Sequence, residues 1–269
     1  MSRPIPKHHY RTCFFDHPGV PGIEKVKDGG WVFGYTGAVH KIGDRDSKYC
    51  VANEMICASI GTYLMLPIPP FAVTHSVDGR YFFSSLDFNF DREQLPPIMP
   101  DLCGRELKNE CAGIVLFDIL IANEDRHDKN LAVDEVSKPT AIRAFDHGNA
   151  LLGGGGNSMG IPRINELIFR LGITGGSVTG GRTHCLLMQI DDPKYFTPWL
   201  HRIDSIPEWY IDNACEVALP YGLSRKESSE IKTFLKYRAH NMRELMQKHK
   251  TAFTEITDKK WNAFWSSLQ

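Results

Sequence analysis

Asp125, Asn130 and Asp146 are the residues of this 269-residue chain whose types and spacing are best suited to chemistry. They lie in EDRHDKN, residues 124–130, and DHG, residues 146–148, so Asn130 and Asp146 are sixteen positions apart. An amide oxygen and a carboxylate are hard donors of the kind Mg²⁺ prefers, with phosphate and water completing its shell. A second carboxylate beside an acceptor hydroxyl can orient it and take its proton. Phosphoryl transfer asks little more of a protein than a positioned metal, screened phosphate charge and an acceptor aimed in line. The pattern therefore reads as a Mg-ATP site, with Asp125 orienting the acceptor and Asn130 and Asp146 holding the cation.

Something must bring these groups together. NLAVD and AIRAF read as two short strands joined through Ser137, Lys138 and Pro139, a hairpin that returns the chain to where it left. Gly148 would permit the backbone turn that follows, and four glycines, 153–156, would open a mobile segment. Upstream, GRELKNECAGIVLFDILIAN reads as one helix, apolar nearly all round towards its end, as a buried core helix is. Residues 1–90 read as strands, turns and one helix. WVFGYTGAVHKIG resembles two strand segments around a flexible turn, and FAVTH and YFFSS make a hairpin whose turn suits Asp78 and Gly79. KYCVANEMICASIGTYLML is helical in pattern, with Ala52, Ile56, Ile60 and Tyr63 recurring and Pro67 just past its end. The Pro-rich REQLPPIMPD reads as a linker. Beyond about residue 190 the pattern is helical, with Ile231, Phe234, Leu235, Met242, Leu245 and Met246 on one face of a helix starting near Ser224. The layout is α+β: a small β-rich lobe with one helix, residues 1–90, and a mainly helical lobe, residues 91–269.

NEDRHDKN together with FDHG resembles the catalytic loop and metal-binding motif of HipA-like kinases and, more distantly, of phosphatidylinositol kinases. NEMICASIGTYLMLPIPP and GLSRKESSEIKTFLKYR look like flanking segments of compact HipA-like members, so the likeness covers roughly residues 30 to 247. It implies the bilobal protein-kinase-like fold and ATP- and Mg²⁺-dependent transfer to a serine or threonine of a protein. It also implies a toxin-type kinase with an antitoxin partner chain, without the extra N-terminal subdomain of full-length HipA. By the same resemblance Lys41 and Glu54 would form the phosphate-anchoring pair, His127 and Lys129 would join Asp125 in the catalytic set, and Arg126 would support the loop. Gly34 and Gly37 would lie in the turn over the phosphates, although DGGWVFGYTG, with Gly29 and Gly30, is neither G-x-G-x-x-G nor a Walker sequence. Ser84, Ser85, Leu86 and Asp87, expected after the second hairpin strand, would be the hinge offering backbone groups to adenine. Such enzymes often carry a regulatory serine in the glycine loop; this chain has Thr36, with Ser47 further on.

Composition narrows the alternatives. The formal charge of −1 gives no electrostatic footprint for nucleic acid or an anionic membrane. Seven scattered cysteines without a C-x-x-C pair, and a start without a signal-peptide core, fit reduced thiols in the cytoplasm. A lipid or small-metabolite kinase would use the same metal geometry. A degenerate, non-catalytic ATP-binding module would commonly lack one of Asp125, Asn130 and Asp146. A metal-dependent hydrolase built from Asp125, His127, Asp128, Asp146 and His147 lacks a third well-spaced ligand. His147, His184 and His201 read as core or surface residues.

Overall fold

A computed structural model describes residues 12–17, 31–36, 38–42, 48–75, 79–86, 97–135, 137–154, 159–173 and 183–268. β1 (Thr12–His17) pairs antiparallel with β2 (Trp31–Thr36). β3 (Ala38–Ile42), β4 (Phe71–His75) and β5 (Tyr81–Leu86) form a separate antiparallel sheet with β5 in the middle. The expected hairpin is present, with His75 opposite Tyr81; Asp78 lies outside the described residues. WVFGYTGAVHKIG does give two strands, but β2 and β3 enter different sheets.

Helix α1 (Cys50–Tyr63) follows β3 and buries residues on both sides. Val51 and Ala58 pack with Phe83 of β5, whereas Ala52, Ile56 and Ile60 join the main core. A helix enclosed on two sides needs apolar residues nearly all round, which is what its sequence supplies. The segment expected to be one helix after the Pro-rich stretch is two: α2 (Pro100–Glu106) and α3 (Lys108–Ile121). Leu107 breaks them, with φ −126° and ψ 41°, and neither a glycine nor a proline marks the break. Residues 111–121 of α3 are all buried, and this helix is the core around which the others pack.

The end of α3 fixes where the next loop starts. A buried helix terminus leaves carbonyls that need donors. Arg238 donates to Ile119 O, Arg163 Nη2 reaches Ala122 O at 3.0 Å, and Leu151 N–H reaches Ile121 O at 2.9 Å. Cations at a helix C-terminus also complement its dipole, which suits two guanidinium groups buried there.

After the loop, β6 (Leu131–Val133) and β7 (Ile142–Ala144) form the expected short antiparallel pair. Then come α4 (Ile161–Leu167), α5 (Thr197–Asp204), α6 (Glu208–Ala218), α7 (Arg225–His240), α8 (Met242–Lys248) and α9 (Asp258–Ser267). The helix expected from Ser224 through Met246 is interrupted at Asn241, so α7 and α8 share the apolar face: all six marked residues are buried. Among the described residues, no helix is long and apolar enough to cross a membrane.

α1 is fastened to the other helices at both ends. Its last turn receives Arg202 Nη1 on Leu64 O at 3.1 Å, and Tyr210 of α6 donates to Ser59 O at 3.0 Å. At the other end the Tyr49 hydroxyl donates to Glu227, and Lys48 Nζ lies 3.2 Å from the same carboxylate. Glu227 also closes a capping box on α7, accepting from Ser224 N–H while its own N–H donates to Ser224 Oγ. Replacing Ser224 by alanine is therefore expected to lower unfolding stability by about 1 kcal/mol. An unchanged urea midpoint would show that the cap contributes nothing.

Candidate active site

A buried ion pair organises the loop after α3. Asp118, in the last turns of that helix, and Arg126 are both fully enclosed. The guanidinium grips the carboxylate through Nε at 2.7 Å and Nη2 at 3.1 Å. Its Nη1 donates to two main-chain carbonyls, Asn130 O at 2.8 Å and Phe145 O at 2.6 Å. Arg126 thus ties together the end of the loop and the residue before Asp146.

Asp118 takes further donors. Asn123 Nδ2 lies 2.9 Å from Oδ1 and His184 Nε2 lies 2.9 Å from Oδ2. His184 Nδ1 accepts from Leu186 N–H at 3.1 Å, so the proton sits on Nε2 and points at Asp118. Burial acts to raise the Asp118 carboxyl, but the Arg126 charge and the His184 hydrogen bond outweigh it and hold the group well below the usual carboxylate range. Burial, opposed by Asp118, lowers the His184 imidazole and keeps it neutral.

The spacing of Asp125 and Asn130 now has a geometric reason. Asn130 Nδ2 donates back to Asp125 O at 2.9 Å, closing the loop on itself. A three-residue 3₁₀ turn, Asp128–Asn130, completes the return, and His127 Nδ1 accepts Lys129 N–H at 3.2 Å at its start. With Nδ2 committed, Oδ1 is the acceptor end of the Asn130 amide. Phe145 N–H bonds to Asn130 O at 3.3 Å, extending the β6–β7 ladder by one pair and bringing Asp146 beside Asn130. Asp146 itself is left-handed, with φ +63°, an unusual conformation for a residue with a side chain and one found at functional sites. Gly148 was expected to supply that freedom. It lies outside the left-handed region, and its small size has another use: a Cβ there would come within 2.9 Å of Cys50 Sγ.

Lys41 of β3 and Glu54 of α1 meet. Nζ lies 2.6 Å from Glu54 Oε1 and 2.5 Å from Asp146 Oδ1. Burial alone would lower the lysine, and the two carboxylates outweigh it and raise it. Glu54 also accepts the His147 main-chain N–H at 2.9 Å, with His147 Nδ1 3.3 Å from Oε2. Burial would raise the Glu54 carboxyl, yet His147 and Lys41 hold it down to about 2. From the same turn of α1, Asn53 Nδ2 lies within 3.2 Å of the carbonyls of Gly148, Ala150 and Gly153, pinning the segment after Asp146.

Asp125 is partly exposed, with its N–H on Asn123 Oδ1 at 3.2 Å and the Asn149 amide 2.7 Å from Oδ2. His127 Nε2 lies 4.0 Å from Asp125 Oδ1, and Lys129 is exposed. His147 is turned away from them, buried against Glu54 and the Phe117 ring, so it does not complete a cluster with Asp125 and His127. Among the described residues no three His, Cys, Asp or Glu side chains form a metal cage.

The remaining expected residues are spread more widely. Ser84, Ser85 and Leu86 do not follow the hairpin strand; they are part of β5, paired with β3, because the strand extends to Leu86. Gly34 is in β2 opposite Phe14, and Thr36 is the last residue of that strand. Gly29, Gly30, Gly37, Ser47, Asp87 and Gly155–Gly156 lie outside the described residues. Asp118 and His184 were missed because one sits in an apolar helix and the other is remote in sequence. Asn53 and Asn149 were missed although each neighbours a marked residue.

The fold has a counterpart among solved structures. The Helicobacter pylori proinflammatory kinase CtkA superposes with a TM-score of 0.54 at 14% identity, covering 90% of this chain and 96% of its own. The chain has a kinase fold. A further match is HipA of Shewanella oneidensis MR-1, crystallised with HipB and operator DNA, at TM-score 0.42 and 13% identity over 90% of this chain and 66% of HipA. No protein-family model and no curated protein matches the sequence. At 14% identity the likeness to CtkA is one of fold, and a fold shared with a kinase is what the HipA-like resemblance implied.

Glu54 gives the site a pH signature. Its folded value of about 2 lies below the ordinary 4.5, so its stabilising contribution is complete above pH 4.5 and is lost as pH falls from there towards 2. Asp118 acts in the same direction. Thermal denaturation across that range is expected to show a steep loss for the wild type and a shallower one for Glu54→Gln. Parallel curves for the two would refute this linkage.

Proposed function

We propose that the chain is an ATP- and Mg²⁺-dependent kinase that transfers the γ-phosphate to a serine or threonine hydroxyl of a protein. The observation that carries this reading is the double role of Arg126: one guanidinium binds the Asn130 and Phe145 carbonyls and so ties Asn130 to the residue before Asp146, whose carboxylate meets Lys41.

The donor set suits Mg²⁺: Asn130 Oδ1 and the Asp146 carboxylate are hard oxygens, and two protein ligands leave room for phosphate and water. The cation would supply neutralisation of charge on the transferring phosphate. Lys41, oriented by Glu54, binds phosphate oxygens, and Asp146 is the more exposed of its two partners, at 37% against 1% for Glu54. Asp125 aligns the acceptor hydroxyl and receives its proton. His127 and Lys129 border the acceptor side. Gly34, Gly37, Ser85 and Leu86 are assigned to the nucleotide by resemblance alone. On this reading residues 1–90 form the nucleotide-binding lobe and 91–269 the helical one, in a cytoplasmic enzyme. The resemblance to compact HipA-like members also supports an antitoxin-type partner chain.

Incubation with Mg²⁺ and γ-labelled ATP, alone and with cell lysate, tests the reading. Label on the chain itself or on a lysate protein is expected. Label confined to lipid or small-molecule fractions would replace the protein acceptor, and bound ATP without transfer would leave only a binding module. Asp125→Ala should lose about a thousandfold or more in turnover while still binding ATP, and Asp146→Ala should weaken Mg-ATP binding itself. Near-normal transfer by Asp125→Ala would remove that residue from the acceptor role.

A further inference from the structure

Asn149 stands outside the sequence-expected set, yet its Nδ2 donates to Asp125 Oδ2 at 2.7 Å. Arg163 of α4 holds Asn149 from behind. Nη2 lies 3.3 Å from Asn149 O and 3.0 Å from Ala122 O, and Nη1 lies 2.8 Å from Glu124 Oε2. A single buried guanidinium therefore fixes the residue before Asp125, the end of α3 and the main chain of Asn149 together.

The first two residues of the glycine run that follows are packed against these groups. Gly153 is left-handed, φ +80°, and packs against Arg163, whose Cδ would lie 3.0 Å from a Cβ at that position. At Gly154 a Cβ would overlap Asn149 Oδ1 outright. Any side chain at 154 would push Asn149 off its seat.

We propose that Asn149 is a positioning residue for Asp125, and that Gly154 is glycine so that Asn149 can occupy this place. The assignment rests on the kinase reading above. The amide fixes Oδ2 and with it the rotation of the carboxylate, leaving Oδ1 on the acceptor side, where His127 Nε2 lies 4.0 Å away. Facing the Asp125–Asn149 contact are His127 in front and the Arg163–Glu124 ion pair behind. The opposite role, an amide that plugs the place of the acceptor hydroxyl, predicts the reverse kinetics.

Steady-state transfer from Mg-ATP to casein by the full chain separates these. Asn149→Ala and Gly154→Ala are each expected to lower kcat by about 10- to 100-fold with KM for ATP unchanged, the scale of a misplaced catalytic group. Asn149→Asp, nearly isosteric, sets a second carboxylate against Oδ2, and the acidic limb of its pH–rate profile should move up by about one pH unit. A cooperative thermal transition in each variant excludes simple misfolding; if Asn149→Ala does not fold, the pH limb of Asn149→Asp decides. With an active wild type, an unchanged or raised kcat in folded Asn149→Ala, or an unmoved limb in Asn149→Asp, overturns the assignment alone. A wild type that transfers phosphate to neither casein, nor itself, nor any lysate protein overturns the kinase reading and this assignment with it.

Discussion

The site depends on burying Asp118 opposite Arg126. Taking both charges out of water is unfavourable, and their attraction offsets it only where geometry is good and the remaining donors and acceptors are satisfied. Asp118 meets that condition with Arg126, Asn123 and His184, and Arg126 meets it with two main-chain carbonyls. What the pair provides is chiefly specificity. Leu131, Val133, Ile142 and Ala144 seat the two-stranded ribbon in the core, and the guanidinium sets the seven-residue loop against it from inside.

Lys41 shows how charge is shared across the site. One ammonium faces two carboxylates, but they are not equivalent. Glu54 is enclosed and receives His147 N–H as well, so it stays with Lys41. Asp146 is partly open to solvent and sits in a left-handed conformation at the end of the ribbon. On the proposed reading, Lys41 would hold phosphate and the Asp146 carboxylate would be available to a cation.

The ribbon that returns the chain from Asn130 to Phe145 was legible in sequence, because two short β-rich runs flank a turn whose spacing suits a hairpin. Lys41 and Glu54 were found through resemblance, and they do meet. The breaks at Leu107 and Asn241 were not legible, since neither residue is a helix breaker and the apolar pattern runs through both; packing, not propensity, ends those helices. Gly148 was singled out for conformational freedom, whereas the left-handed residue is Asp146, two positions earlier, and Gly148 serves close packing on Cys50. The supporting polar residues were hidden for a different reason. Asp118 lies in a run of core-forming residues, and His184 and Arg163 join the site from segments whose sequence spacing carries no periodic signal.

The way α1 is fastened limits how the site built on it can be controlled. Drawing Glu54 away from Lys41 would mean moving the whole helix, which would strip Tyr49 from Glu227 and disturb the capped start of α7, release Arg202 from Leu64 at the far end and tear Asn53 from three carbonyls. A swing of that helix as an on–off lever would thus have to disrupt three anchoring points at once. On the proposed kinase reading, control that acts on how nucleotide or acceptor gains entry would leave all of them intact.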